Sequence, residues 1–292
     1  MPSQKEIRAR ISSTIGTQQI TKAMKLVSAT KLRKASEAIT KMRPYALKLQ
    51  GIMSNLQDSA NDERLAVYFQ QRDVKSVTLI VITSDRGLCG AFNANVVKRT
   101  RALLENDYKA LVKQQKVNIV CVGKKGAESL KRLGYTVDTT FQNLLVGISA
   151  EATFEFAQGC INQFTSGQVD KVEVIYNQFK NAATQILKNE VLLPVTPSAN
   201  TNAKTTGEYI FEPGKVEILE DLIPRSVKTH IFRSMLDSLA SEHGARMVAM
   251  DKATDNAGEL LRTLRLAYNQ ARQAAITREI SEIVGGVAAL EG

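Results

Sequence analysis

The stretch Ala35-Ser36-Glu37-Ala38-Ile39-Thr40-Lys41-Met42-Arg43-Pro44-Tyr45-Ala46-Leu47-Lys48-Leu49-Gln50-Gly51-Ile52-Met53-Ser54-Asn55-Leu56 decides the architecture. Its members Ala35, Ile39, Met42, Ala46, Leu49, Met53 and Leu56 alternate steps of four and three, the spacing of a coiled-coil seam. Ile20 and Met24 extend the stripe upstream, but Met24 to Ala35 is an eleven-residue step, which predicts a stutter that locally unwinds a supercoil. Pro44 predicts a kink or a helix restart. Ser3 to Arg43 has no Pro and one Gly, and Arg225 to Gly292 has no Pro, so both chain ends suit long helices. At the far end Ile276, Ile280, Ile283, Val287 and Leu290 repeat the four-three step. Val227, Ile231, Met235 and Leu239 step by four, and the stretch after them carries no assignable phase.

Length then constrains the packing. Helices over 3–57 and 225–290 would run about 80 Å and about 100 Å, against roughly 30 Å across a small domain. They cannot be buried in a globule of 292 residues and must pair, protrude, or both. An antiparallel coiled coil is the economical solution. The middle of the chain has another texture. Val77–Ile82, Val117–Val122, Lys171–Tyr176 and Ile186–Val195 are β-rich runs, with helical patterns near 91–115, 124–133 and 149–166. That alternation predicts a small parallel or mixed sheet. The fold class is therefore α/β: a long antiparallel α-helical coiled coil of the N- and C-terminal helices, with a central Rossmann-like domain. The expected divisions are a helix over 1–57, the α/β domain over 74–195, a linker over 196–216 and a helix over 217–292.

Hydrophobic residues make up 43% of the chain, enough for a core, and no run approaches the roughly 18 apolar residues of a membrane span. The N-terminus lacks an apolar signal core, so no secretion or transit segment is expected. Cys89, Cys121 and Cys160 are an odd, scattered set without metal spacing, read as buried thiols. The net charge of +10 is uneven: residues 1–57 carry 11 basic and 2 acidic residues, a net of +9. Such a segment calls for an acidic partner, whether nucleic acid, anionic lipid or an acidic protein surface.

The catalytic search returns little. His230 and His243 fall on roughly opposite sides of one helix, which suits surface or interface positions and no shared metal. Ser84-Asp85-Arg86-Gly87-Leu88-Cys89-Gly90 follows a predicted strand, where a Gly-rich turn can cradle phosphate. It lacks the dinucleotide spacing, and Gly123-Lys124-Lys125-Gly126 fails the P-loop pattern; steric need for glycine in a tight turn is the simpler reading. Three functions fit so far: a transmission element, a basic coiled-coil nucleic-acid binder, and a nucleotide-dependent enzyme. The apolar tail around Gly285-Gly286 either folds back or sits in an apolar sleeve of other subunits.

Ile20-Thr21-Lys22-Ala23-Met24, Lys31-Leu32-Arg33-Lys34-Ala35, the Ser84–Gly90 loop, Ala245-Arg246-Met247-Val248-Ala249-Met250 and Tyr268-Asn269-Gln270-Ala271-Arg272-Gln273-Ala274-Ala275-Ile276-Thr277-Arg278-Glu279-Ile280 resemble the gamma subunits of F-type ATP synthases, of bacterial type. The likeness runs end to end. It implies a central rotor shaft that couples proton-driven c-ring rotation to ATP synthesis, or the reverse, at alpha/beta sites. It implies no catalytic residue, cofactor or metal in this chain. The implied partners are the alpha3beta3 hexamer, the epsilon subunit and the c-ring, one copy per complex, with no nucleic acid and no membrane insertion. The implied place is peripheral, on the cytoplasmic face of the bacterial membrane. By the same resemblance Met24, Lys25, Arg246, Arg272, Gln273, Thr277 and Glu279 contact beta subunits. Ile276, Ile280, Ile283, Val287 and Leu290 form an apolar bearing, and Tyr209, Phe211, Glu212, Arg33 and Lys34 serve the foot and c-ring. The paired cysteines of plastid members are missing here, so no thiol switch is expected.

Overall fold

The computed structural model describes residues 3–55, 63–195 and 214–291. The elements are α1 (Gln4–Asn55), α2 (Glu63–Phe69), β1 (Val77–Ile82), α3 (Phe92–Glu105), α4 (Lys109–Lys113), β2 (Val117–Val122), α5 (Lys124–Arg132), α6 (Ala150–Thr165), β3 (Lys171–Phe179), β4 (Gln185–Leu193) and α7 (Lys215–Glu291). Two compact units emerge: residues 29–246, and residues 1–28 with 247–292. Both boundaries fall inside a long helix. The 196–213 part of the expected linker, with Tyr209, Phe211 and Glu212, lies outside the described residues.

In the 29–246 unit the sheet order is β2-β1-β3-β4, with β1 parallel to both β2 and β3, and β4 antiparallel to β3. Strand alternation sorts the side chains into two layers. Val77, Leu79 and Val81 face α3 and α5 through Val96, Leu103, Leu104 and Leu130. Ile80 and Ile82 face the other way, onto Phe156, Ile161 and Phe164 of α6 and Val227, Ile231 and Met235 of α7. The first stretch of α7 is thus a layer of the α/β domain itself. Because β1 is covered on both faces, it reads as a run apolar at every position but Thr78. The helix expected over 91–115 is broken. Asn106 and Asp107 are weak helix formers, and Tyr108 turns inward, its hydroxyl donating to Glu173 Oε1 at 2.7 Å. Ala35 and Ile39 of α1 pack on Leu236 and Ala240 of α7, an antiparallel pairing within this unit.

The predicted stutter is not there. Along α1 the inward positions recur every seven residues without a break: Ile7, Thr14, Thr21, Ser28, Ala35, Met42 and Leu49 are buried or half-buried. Ile20, assigned to the stripe by its apolarity, is 62% exposed. The seam passes through Thr21 and Ser28 instead, which is why apolar counting lost it. Helix α1 also runs on through Pro44 without restarting. In the other unit the α7 positions Met250, Thr254, Ala257, Leu261, Leu264, Tyr268, Ala271 and Ala275 step by four and three and are buried or half-buried. The stretch that carried no phase in the sequence is therefore a regular seam.

Candidate functional site

The Ser84–Gly90 loop leaves β1 through Thr83, whose Oγ1 accepts the Gly126 amide at 2.9 Å and donates to Gly123 O at 3.3 Å. Asp85 Oδ1 accepts from the Lys124 amide at 3.1 Å, and Ser84 O from the Lys125 amide at 3.0 Å. The first amides of α5 are thus taken, and they are the groups a phosphate would need. Asn93 closes the loop: its Oδ1 accepts the Ser84 amide at 2.9 Å, and its Nδ2 donates to Ser84 Oγ at 2.7 Å and Cys89 Sγ at 3.3 Å. Leu88, at φ +63°, is held outward and is 64% exposed. What the loop presents inward is carbonyl oxygen. Arg86 O and Gly87 O accept from Arg246 Nη2 at 3.0 and 3.3 Å.

Arg246 sits on α7, buried, with Nη1 donating to Glu242 Oε1 at 2.6 Å. One guanidinium therefore fastens a loop of the α/β domain to the helix behind it. Burial pushes the Glu242 carboxyl up, and Arg246 opposes that shift. His243 beside them is buried within the chain, where its position in the sequence suggested the surface or an interface. Burial first, then the charges of Arg246 and Lys31, bring its pKa down to about 4. Neutral at ordinary pH, it offers Nδ1 at 3.5 Å from Arg246 Nη1. His230 is half-buried, with Nε2 2.8 Å from Glu190 Oε2, which also accepts the Tyr176 hydroxyl at 3.0 Å. All three cysteines are buried and free. Among the described residues no cluster of His, Cys, Asp or Glu is arranged to hold a metal ion.

Asp237 lines a small cavity with Ile39, Met42 and Arg43 of α1, Gln178 and Phe179 of β3, and Arg233 and Leu236 of α7. Burial pushes its pKa up to about 6, against the pull of Arg233, Arg43 and the Phe179 amide and with a smaller push from Glu190. A carboxyl whose folded pKa is raised favours folding most when protonated. Its contribution is complete below the unfolded value near 4 and is lost as pH rises through about 6. Asp237→Asn is accordingly expected to be more stable than the parent at pH 7.5, by at most about 3 kcal/mol. That advantage should shrink toward zero at pH 4. Urea unfolding of both proteins across that range checks the slope, and an advantage that does not vary with pH rejects the assignment.

The remaining expected contacts fall on the helices. Met24 is half-buried, and Lys25 Nζ lies 2.5 Å from Asp251 Oδ1 of α7. Thr21 and Thr254 share a hydroxyl–hydroxyl bond of 2.8 Å. Arg33 and Lys34 are exposed, Arg33 beside Glu37 at 3.3 Å. Arg272, Gln273, Thr277 and Glu279 are exposed on α7. So are Ile276, Ile280, Ile283 and Val287, while the Leu290 side chain lies outside the described ones. From Ile276 to Val287 every residue is exposed, although five of them are large aliphatics. Among the described members of the expected surface set, Arg246 alone is enclosed by its own chain. Sequence reasoning missed Asp251, Thr254 and Asp237; counting sevens from Ile7 would have found the seam facing the first two.

A family model described as ATP synthase matches residues 3–290. The ATP synthase gamma chain of Cytophaga hutchinsonii is 50% identical over 293 residues, covering 99% of each chain. That of Flavobacterium johnsoniae is 50% identical over 292 residues, covering all of both. Among solved structures, a chain of the Tetrahymena thermophila mitochondrial ATP synthase central stalk and c-ring is 27% identical with a TM-score of 0.58, covering 80% of this chain and 99% of that one. A chain of the Euglena gracilis mitochondrial ATP synthase rotor is 21% identical with a TM-score of 0.64, covering 94% of this chain and 98% of that one, and shares the fold. With half its residues shared along the whole length, this chain belongs to the family of ATP synthase gamma chains.

Proposed function

We propose that this chain is the central rotor shaft of a bacterial F-type ATP synthase, one copy per complex, and carries no catalytic group of its own. Its upper end turns inside the alpha3beta3 hexamer, and its foot engages the epsilon subunit and the c-ring. The complex stands peripherally on the cytoplasmic face of the membrane, driven by proton flow or, in reverse, by ATP hydrolysis. The observation that carries the reading is the last stretch of α7. A run holding Ile276, Ile280, Ile283, Val284 and Val287 is left wholly in water, and exposed apolar surface of that kind marks an interaction site. Contacts that are mostly apolar are also forgiving of angle, as a turning bearing requires. Met24, Lys25, Arg272, Gln273, Thr277 and Glu279 lie where beta subunits would pass; Arg33 and Lys34 present basic charge to acidic partners. No helix of the described residues is long and apolar enough to cross a membrane.

The nucleic-acid reading draws little support, since the whole chain shares half its residues with ATP synthase gamma chains. Reconstitution with alpha and beta subunits tests the proposal. ATPase of the hexamer should become rotary and dependent on this chain. A version ending at Ala275 should still assemble but deliver less than half the torque. ATP cleavage by the purified chain alone, failure to join the hexamer, or full torque after the truncation would each contradict the reading.

A further inference from the structure

Within the unit formed by residues 1–28 and 247–292, the α1 seam is polar where a coiled coil is ordinarily apolar. Thr14, Gln18, Thr21, Lys25 and Ser28 occupy five successive seam positions, all buried or half-buried, after the apolar Ile7 and Ile11. Three of them reach across to α7. Thr21 meets the Thr254 hydroxyl, and Lys25 pairs with Asp251. The Gln18 amide points at Thr254 O at 3.5 Å, and Gly258 leaves it room, since a Cβ there would lie 3.3 Å from Gln18 Nε2. Apolar layers are interchangeable, so helices joined by them alone can slip by a heptad. Polar seam pairs match in one alignment only and fix register at some expense of stability. Here a slip of seven residues would set Gly258 against Lys25 in place of Asp251, leaving both charges half-buried without their partner. It would also move the exposed end of α7 by about 10 Å along α1.

We infer that the Gln18–Thr21–Lys25 and Asp251–Thr254 contacts are a register lock: they set how far α7 projects past α1, and they do so at the expense of coil stability. This inference concerns the internal alignment of the two helices and does not depend on what the tip contacts.

Disulfide trapping in the full chain tests it. The three native thiols are buried, and burial pushes those of Cys121 and Cys160 up to about 12, so they stay unreactive. Extending the Thr21–Thr254 pairing by one heptad puts Thr14 opposite Leu261; a slipped α7 would put Tyr268 there. Thr14→Cys with Leu261→Cys therefore reports the native alignment, and Thr14→Cys with Tyr268→Cys the slipped one. In the otherwise unaltered chain only the first pair should crosslink. Replacing the lock with aliphatics (Thr21→Val, Lys25→Leu, Asp251→Leu, Thr254→Val) should raise Tm by several degrees and let the slipped pair crosslink in a tenth of chains or more. Exclusive native crosslinking in that variant overturns the inference. Should the aliphatic chain aggregate, charge reversal supplies a second arm. Lys25→Asp alone should reduce the native crosslink at least twofold, and Lys25→Asp with Asp251→Lys should restore it. A single reversal without effect, or a swap that fails to rescue, equally overturns it.

Discussion

Replacing Arg246 with Ala is expected to remove about 3–5 kcal/mol of folding stability. The side chain serves the Glu242 carboxylate, the carbonyls of Arg86 and Gly87 and, at the longer distance of 3.5 Å, His243 Nδ1. Truncation leaves a buried carboxylate without its cation and the Gly87 carbonyl without this donor, while Arg86 O keeps the Ser84 hydroxyl at 2.7 Å. Leaving a buried charge uncompensated is the heavier penalty. The carboxyl is already pushed up by burial with Arg246 in place. Without the guanidinium it rises further, so the variant recovers part of its loss as pH falls and Glu242 takes a proton. Arg246→Lys should fall between the two, because an ammonium keeps the charge but cannot reach carboxylate and carbonyls with one planar fork. Adding Glu242→Gln to Arg246→Ala should return some of the stability. Urea unfolding at pH 8 and pH 6 measures all four proteins. An Ala variant within 1 kcal/mol of the parent at pH 8 would mean the guanidinium does not hold the loop.

Gly123→Ala is expected to be at least as damaging, by about 3 kcal/mol or more. The residue has φ +107°, and a Cβ there would sit 2.1 Å from Thr83 O and 2.6 Å from Thr83 C. Both are backbone atoms just past β1, in a residue whose amide donates to Val122 O at 2.8 Å, so no rotamer change makes room. The β1 and β2 ends would have to separate, which would also disturb the bond from Gly126 to Thr83. Gly126→Ala should be milder, since its new Cβ would meet only the Thr83 side chain, nearest at 2.6 Å. Gly87→Ala is the control: open space surrounds it, so a change within about 0.5 kcal/mol is expected. Thermal unfolding of the three variants ranks them. Equal losses at Gly87 and Gly123 would refute the steric account.

Those residues show what the sequence makes legible. The strand over 77–82 announces itself because both its faces are covered, and the strand over 117–122 does so from Ile119 onward, where every residue is buried. The seam from Ala35 to Leu49 is equally plain, being apolar inward. It vanishes over 14–28 because periodicity counts oil, and there the inward positions are Thr, Gln, Lys and Ser. Matters are worse where the outer face is oily as well: Ile20, Leu26, Leu260 and Leu266 are all exposed. An outer surface that is also apolar breaks the assumption behind any helical moment. The Ser84–Gly90 turn was visible, but its partner was not, because Arg246 lies 160 residues further on and nothing in local spacing joins them. Asp237 was hidden the same way, its neighbours coming from α1 and β3.

The pairing of the two chain ends has a consequence for biosynthesis. The strip that α1 offers to α7 leaves the ribosome first, and its complement leaves last, with the whole sheet translated between them. For that interval α1 is a lone amphiphile in crowded surroundings, and unsatisfied hydrophobic surface is what nascent chains aggregate through. Hydroxyls, an amide and an ammonium along its first half make that wait safer, since water can serve them until the tail arrives.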